Sequence, residues 1–300
     1  MIDKILPVYL YLALGYFLRK VKLFSNEDGR LLLKLGIYVC TPALLLSTFS
    51  QQSINIDDYQ LAVISIIVLG LGFFVGKIIS KIRNSENKST GTTIISFMNF
   101  NIGIATAFLL SIYGQGIIIK SEIFNRIHSI ILFSVVYYIA SFYGRKQVSK
   151  STALKKTLLM PPLWAFIIGV SLKSAGIQIS STILNPITSI GLLTPVIFAI
   201  GTGMNLEFNL SGWKSIYKIV LFRAVFMVCI VLFLTFIFNV DATSRFVILL
   251  MTLTPIGSNV IAYSSMEGLD VKMAQHLVSL SMVISLIAIS VAVVLNQLIR

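Results

Sequence analysis

Charge is scarce in this chain, and negative charge is scarcest. Only 12% of its 300 residues are charged, against roughly 25% in an ordinary soluble domain, which excludes a soluble protein. Asp and Glu together number 11. They are Asp3, Glu27, Asp28, Asp57, Asp58, Glu86, Glu122, Glu207, Asp241, Glu267 and Asp270, all in loops or near the ends of apolar segments. A carrier that moves Na⁺ or H⁺ on a core carboxylate needs an acid inside the membrane. Its absence argues against a cation/proton antiporter and favours an anionic or neutral substrate. Proton coupling stays open, because a carboxylate substrate can carry its own proton. Cysteine is nearly missing too: Cys40 and Cys229 both sit in apolar runs, with no disulfide framework and no metal-ligand spacing. They read as small buried hydrophobes. No G-x-x-x-x-G-K-[ST] stretch is present, so energy must come from a gradient or from a separate subunit. Nor is there an acid, base or metal constellation for an intramembrane acyl or glycosyl transferase. The chain reads as a non-enzyme without cofactor or metal.

What remains is apolar: 56% of residues are hydrophobic and the mean hydropathy is +0.91. A helix of about 20 apolar residues crosses a bilayer. Ten candidate spans follow, at 2–20, 31–50, 60–80, 91–112, 122–142, 157–173, 185–206, 214–239, 244–264 and 273–297. The first is too long for a signal-peptide core and has its basic residues after the apolar run, so it is expected to be retained as a span. The net charge of +13 suggests nucleic acid until the positions are examined. With the N-terminus outside, all Lys and Arg but Lys4, Lys120, Arg126, Lys173, Arg245 and Arg300 fall on one face. The basic surplus is therefore a topology signal that marks the cytoplasmic side. It implies a multi-pass protein of the cell membrane with both termini outside, lipid for surroundings and no nucleic-acid partner.

The two halves, 1–150 and 151–300, match in spacing. Pro7, Gly15 and Arg19 align with Pro161, Gly169 and Lys173; Thr41-Pro42 aligns with Thr194-Pro195, and Gly103 with Gly257. Five spans per half is an odd number, so the second copy must enter the bilayer upside down. Inverted repeats with Gly- or Pro-interrupted helices are the architecture of secondary transporters. Pro42 and Pro195 are expected to kink the second helix of each half, either as a packing bend or as a hinge.

The fourth helix of each half carries the polar chemistry. Ser96-Phe-Met-Asn-Phe-Asn-Ile-Gly-Ile-Ala-Thr-Ala107 and Leu253-Thr-Pro-Ile-Gly-Ser-Asn-Val-Ile-Ala-Tyr-Ser264 place amides, hydroxyls and a glycine in mid-span, where polar groups are costly and face a bundle or cavity. If both helices break there, their second halves present positive N-terminal ends near the midplane, an anion site without formal charge. Asn99, Asn101, Gly103, Pro255, Gly257, Ser258 and Asn259 are the candidate substrate-binding residues. The competing reading is interhelical glue, worth on the order of 1 kcal/mol per asparagine. His128 and His276 read as hydrogen-bonded packing residues. Arg223 is expected to snorkel to the cytoplasmic face behind Lys214 and Lys218, the alternative being that it faces the anion path. Trp164 and Trp213 read as interfacial aromatics.

Leu35-Gly-Ile-Tyr-Val-Cys-Thr-Pro-Ala-Leu-Leu45, Met160-Pro-Pro-Leu-Trp-Ala-Phe-Ile-Ile-Gly169 and Leu253-Thr-Pro-Ile-Gly-Ser-Asn259, in this order, resemble the auxin efflux carrier family of permeases, which includes bacterial organic-acid carriers. The resemblance covers nearly the whole chain. It implies an all-α polytopic fold of ten helices, with broken helices 4 and 9 crossing around the substrate. It further implies a scaffold of helices 1, 2, 6 and 7 beside a moving domain of helices 3–5 and 8–10. The implied function is transport of small organic anions such as mono- or dicarboxylates by alternating access; a homodimer is compatible with it. A sodium-coupled carrier like the bile-acid symporters is the alternative. One departure stands out: the family's proline after the helix-4 asparagine is missing from Ile104-Ala-Thr-Ala107.

Overall fold

A computed structural model describes residues 2–51, 59–113, 118–144 and 148–299. The acidic stretch at Asp57 and Asp58, and the basic pair Arg145 and Lys146, lie outside the described residues. Among the described residues there is no strand, only one isolated antiparallel bridge.

The helices follow the apolar segments. In the first half they are α1 (Ile2–Lys20), α2 (Asn26–Gln51), α3 (Tyr59–Ile82), α4 (Asn87–Phe97), α5 (Ile102–Tyr113) and α6, which joins Ile118–Ile131 to Tyr137–Tyr143. The second half adds α7 (Lys150–Leu158), α8 (Pro161–Ser174), α9 (Ser181–Asn205), α10 (Leu210–Ile237), α11 (Ala242–Leu253), α12 (Asn259–Glu267) and α13 (Val271–Ile299). Six of these elements are long and apolar enough to cross a membrane, and the pair α7–α8, bent by 53°, makes a seventh if counted as one span. The expected spans at 91–112 and 244–264 are each two shorter helices, α4 with α5 and α11 with α12.

Proline shapes two of the long helices. Pro42 has no N–H, and its ring crowds the carbonyl four residues back. α2 absorbs this with a π turn over Gly36–Cys40, immediately before Thr41 and Pro42. α9 is interrupted at Leu193, and Thr194-Pro195 opens its second segment, where proline at the first turn costs nothing. α6 carries its own π turn at Leu132–Val136.

Two packed groups result. α1, α2, α8 and α9 form one, in which α1 lies along α9 and α8 along α2. Gly15 and Gly203 bring α1 and α9 so close that a Cβ at either would strike the other helix's backbone, the small-residue contact that membrane helices use. α3–α6 and α10–α13 form the second group, whose buried centre includes Ile94, Phe97, Val260, Ile261 and Tyr263. Large apolar side chains such as Leu10, Phe17, Phe74, Phe233 and Phe236 remain exposed around the outside, a surface suited to lipid rather than water.

Side-chain contacts sort the helix ends into two layers. At one end Arg19 bonds Glu207 at 2.7 Å, Lys156 bonds Glu267 at 2.6 Å and Ser89 bonds Asp270 at 2.9 Å. Lys120 pairs with Asp241 at 3.0 Å in a separate cluster, where α6 begins and α11 is capped.

Candidate functional site at the crossing of two broken helices

Each break has a local cause. Along α4 the hydroxyls of Thr92, Thr93 and Ser96 bond back to the carbonyls of Lys88, Ser89 and Thr92, a habit that bends helices. Asn99 and Asn101 then offer the backbone polar alternatives to helix. The helix stops at Phe97 and resumes at Ile102 with neither proline nor glycine in the gap. In α11 the stop is Pro255, which disfavours helical geometry at the preceding residue. Thr254 accordingly is extended, with φ −60° and ψ 156°.

The two gaps run antiparallel across each other, with Phe100 bridged to Ile256. Asn101 N–H donates to the Pro255 carbonyl at 2.9 Å, and Gly257 N–H to the Asn99 carbonyl at 3.4 Å. Gly257 permits this approach, since a Cβ there would overlap the Asn99 Oδ1. Gly103, which the sequence spacing pairs with it, plays a different part. It sits exposed in the first turn of α5, where a Cβ would meet only the Asn101 Oδ1 at 3.7 Å.

Backbone groups freed by the breaks find buried partners. Phe100 N–H donates to His128 Nε2 at 3.2 Å, so that nitrogen is the unprotonated one. Ile256 N–H donates to Ser281 Oγ at 3.0 Å. Arg223, 3% exposed, spreads its guanidinium over three carbonyls at the C-terminal ends of α4 and α11. Its Nε bonds Ser96 O at 3.1 Å, Nη2 bonds Asn99 O at 3.1 Å and Nη1 bonds Thr254 O at 3.3 Å. It also lies 4.8 Å from the Phe100 ring centre, a cation–π contact.

This corrects the expectation that Arg223 snorkels to the membrane surface. It lies 13 residues into α10, about 20 Å along the axis, beyond the reach of an arginine side chain. That depth was the available sequence signal. His128, Ser281 and Thr202 also belong to this constellation. Their partners are far away in sequence, and no local pattern marks them.

The seven sequence-derived residues meet in one place, in different roles. Pro255 and Gly257 are buried in the bridge. Ser258 opens α12 without capping it; its hydroxyl bonds Thr202 Oγ1 of α9, across from the other packed group. Asn101 opens α5, its carbonyl accepting from Ile104 and Ala105. Asn99 is 0% exposed, and neither of its amide atoms has a partner, nor does Asn259 Oδ1. Buried amides without partners are costly, and here they adjoin the N-terminal ends of α5 and α12.

Two cavities of about 510 and 480 Å³ lie away from the crossing, at the Arg19–Glu207 end, and share Asn209, Lys272 and His276. The second is bordered by Asn26 and Arg30 of α2 on one side and Ser265 and Gln275 on the other, so it opens between the two packed groups. Among the described residues no cluster of His, Cys, Asp or Glu has metal-binding geometry.

The family model for membrane transport proteins matches residues 1–293. An uncharacterized transporter of Methanothermobacter thermautotrophicus is 23% identical over 212 residues, covering 69% of this chain and 68% of that protein. A match over nearly the entire length, through both broken helices, places this chain in the auxin efflux carrier family of membrane transport proteins.

Proposed function

We propose that the protein is a secondary transporter for small organic anions and that the crossing of α4/α5 with α11/α12 holds the substrate. The observation that carries this reading is the meeting of two helix N-termini, that of α12 without a side-chain cap, with the unpartnered amide of Asn99 and the unpartnered Oδ1 of Asn259. Such ends attract carboxylates, and the amides supply directional hydrogen bonds. Four carbonyls at the breaks, those of Ser96, Asn99, Thr254 and Pro255, already accept from Arg223 or Asn101 N–H, and a fixed guanidinium beside them favours an anion over a sodium-coupled scheme.

In this reading each broken pair is one span, giving ten crossings in two inverted repeats, 1–150 and 151–300. Support comes from reciprocal packing: α1 lies on α9 as α8 lies on α2, and the repeat-matched Gly15 and Gly169 both face those contacts. The group α1, α2, α8 and α9 is the scaffold, and α3–α6 with α10–α13 moves against it, presenting the crossing to either side. The cavity between Arg30 and Gln275 is the inward mouth. The Lys/Arg-rich end is cytoplasmic and both termini are outside; a C-terminal reporter active only in the cytoplasm would contradict that. The exposed face of α9 carries Thr182, Asn185 and Ser189, polar for a lipid-facing surface, and suits a second copy. Native mass spectrometry showing only monomers would remove the dimer.

Uptake of labelled mono- and dicarboxylates into proteoliposomes tests the function. Wild type is expected to accumulate at least one of them, and Asn259→Ala to lose most of that uptake at equal protein incorporation. Uptake by neither protein, with neutral solutes carried instead, would overturn the substrate class.

A further inference from the structure

The fixed charge at the crossing does not balance. Helix ends carry roughly half an elementary charge each, positive at the N-terminus and negative at the C-terminus. Four such ends meet here, and by themselves they cancel. Arg223 adds one full positive charge, since a guanidinium stays protonated, and it sits on the carbonyls of Ser96, Asn99 and Thr254. It therefore offsets the two negative ends and leaves the two positive ends of α5 and α12 uncompensated. The four ion pairs among the described residues are Arg19–Glu207, Arg30–Glu27, Lys120–Asp241 and Lys156–Glu267; none involves Arg223. α4, α5, α10 and α11 contain no Asp or Glu. Glu122 of α6 is one turn from Arg126.

We infer that the crossing of the empty protein lacks one negative charge, that the bound substrate is the missing counter-ion, and that the site therefore selects monoanions over dianions and neutral molecules. This rests on the anion-carrier reading above and deepens it. Arg223 touches no substrate in this scheme; it is a positioning residue that sets the sign and size of the charge the substrate must bring. α10 packs with α3, α11 and α13, and Arg223 bonds the ends of α4 and α11, so the charge travels with the moving group. The loaded group is then neutral with a monoanion aboard, and the return of the empty group is the voltage-sensitive step.

The test is the melting temperature of the purified full chain in chloride-free zwitterionic buffer, with acetate, acetamide and malonate, and with benzoate, benzamide and phthalate. Wild type is expected to be stabilised by at least one monoanion, little by its dianionic partner and not by the amide. Asn99→Asp places a carboxylate beside Arg223, whose Nη2 already bonds the Asn99 carbonyl at 3.1 Å. That variant is expected to melt higher than wild type without anion and to gain nothing when the monoanion is added. Asn99→Ala, which removes the amide without supplying charge, is expected to melt no higher than anion-free wild type. If carboxylates stabilise wild type and shift Asn99→Asp equally, the counter-ion inference falls while the anion carrier stands. If amides stabilise as well as their acids, or no acid does, both fall. Should Asn99→Asp not fold, the wild-type series still decides, because dianions binding as tightly as monoanions would overturn the inference.

Discussion

Arg223 is the residue on which the local architecture turns. Replacing it with Met takes the Arg223 donor from the buried carbonyls of Ser96 and Thr254, at about 1–3 kcal/mol each, and leaves the Asn99 carbonyl only the longer bond from Gly257 N–H, so Arg223→Met is expected to lose most folded protein. Arg223→Lys keeps the charge but not the planar fork and is expected to fold with a lowered melting temperature. Equal stability of Arg223→Met and wild type in a detergent thermal melt would show that the three bonds carry nothing. Gly257 is the second such residue. A Cβ there overlaps the Asn99 side chain and presses on the Phe100 carbonyl. Gly257→Ala is expected to cost about 1–3 kcal/mol by overpacking and to abolish uptake in proteoliposomes; normal uptake would mean the bridge is dispensable. At this scale the sequence was legible for asparagines and glycines and opaque for their partners. Asn99, Asn101, Gly257 and Asn259 stand out because polar and small residues interrupt an apolar run. His128 and Ser281 do not, because an isolated polar residue on an apolar helix looks the same whether or not it holds a distant backbone N–H.

Among the elements, broken helices were easier to anticipate where the chain itself enforces the break. Pro255 stops α11 locally, so that gap is written in four residues. The α4 gap lacks proline, and its glycine lies past the gap in α5. It persists because His128, Arg223 and the partner break satisfy its backbone, all supplied by the tertiary fold. The bend at Pro42 was legible but not its form, since a π turn depends on how the whole helix is seated. Pro42→Ala restores an N–H outside the crossing and is expected to shift the melting temperature by a few degrees while leaving substrate affinity intact; a tenfold loss of affinity in a titration would place α2 in the site. The cap of α11 offers a pH test. Burial alone would raise the Asp241 carboxyl, but its hydrogen bonds to Ser244 and its contact with Lys120 hold it down at about 2. A carboxylate with a depressed folded pKa stabilises above its unfolded value of about 3.9, and that contribution is lost as pH falls toward 2. Asp241→Ala is expected to cost about 1 kcal/mol near neutral pH and progressively less below about pH 4; a pH-independent difference between the two melting curves would contradict this.

For the whole molecule, hydropathy located the long apolar helices, because it follows from the cost of placing polar groups in hydrocarbon; the sidedness read from the Lys/Arg bias belongs to the proposal. The division of α1, α2, α8 and α9 from the rest into scaffold and moving group is what the resemblance implies, and no pattern in those helices marks it, since they are as apolar as their neighbours. The central claim is that the crossing, not the cavities at the helix ends, is where the substrate sits. Crystals grown with 4-bromobenzoate would locate the anion directly by its anomalous signal. The account predicts a carboxylate against the N-terminal ends of α5 and α12, within hydrogen-bond reach of Asn99 or Asn259. A single peak in the end cavity beside Lys272 and His276, with the crossing empty, would contradict it.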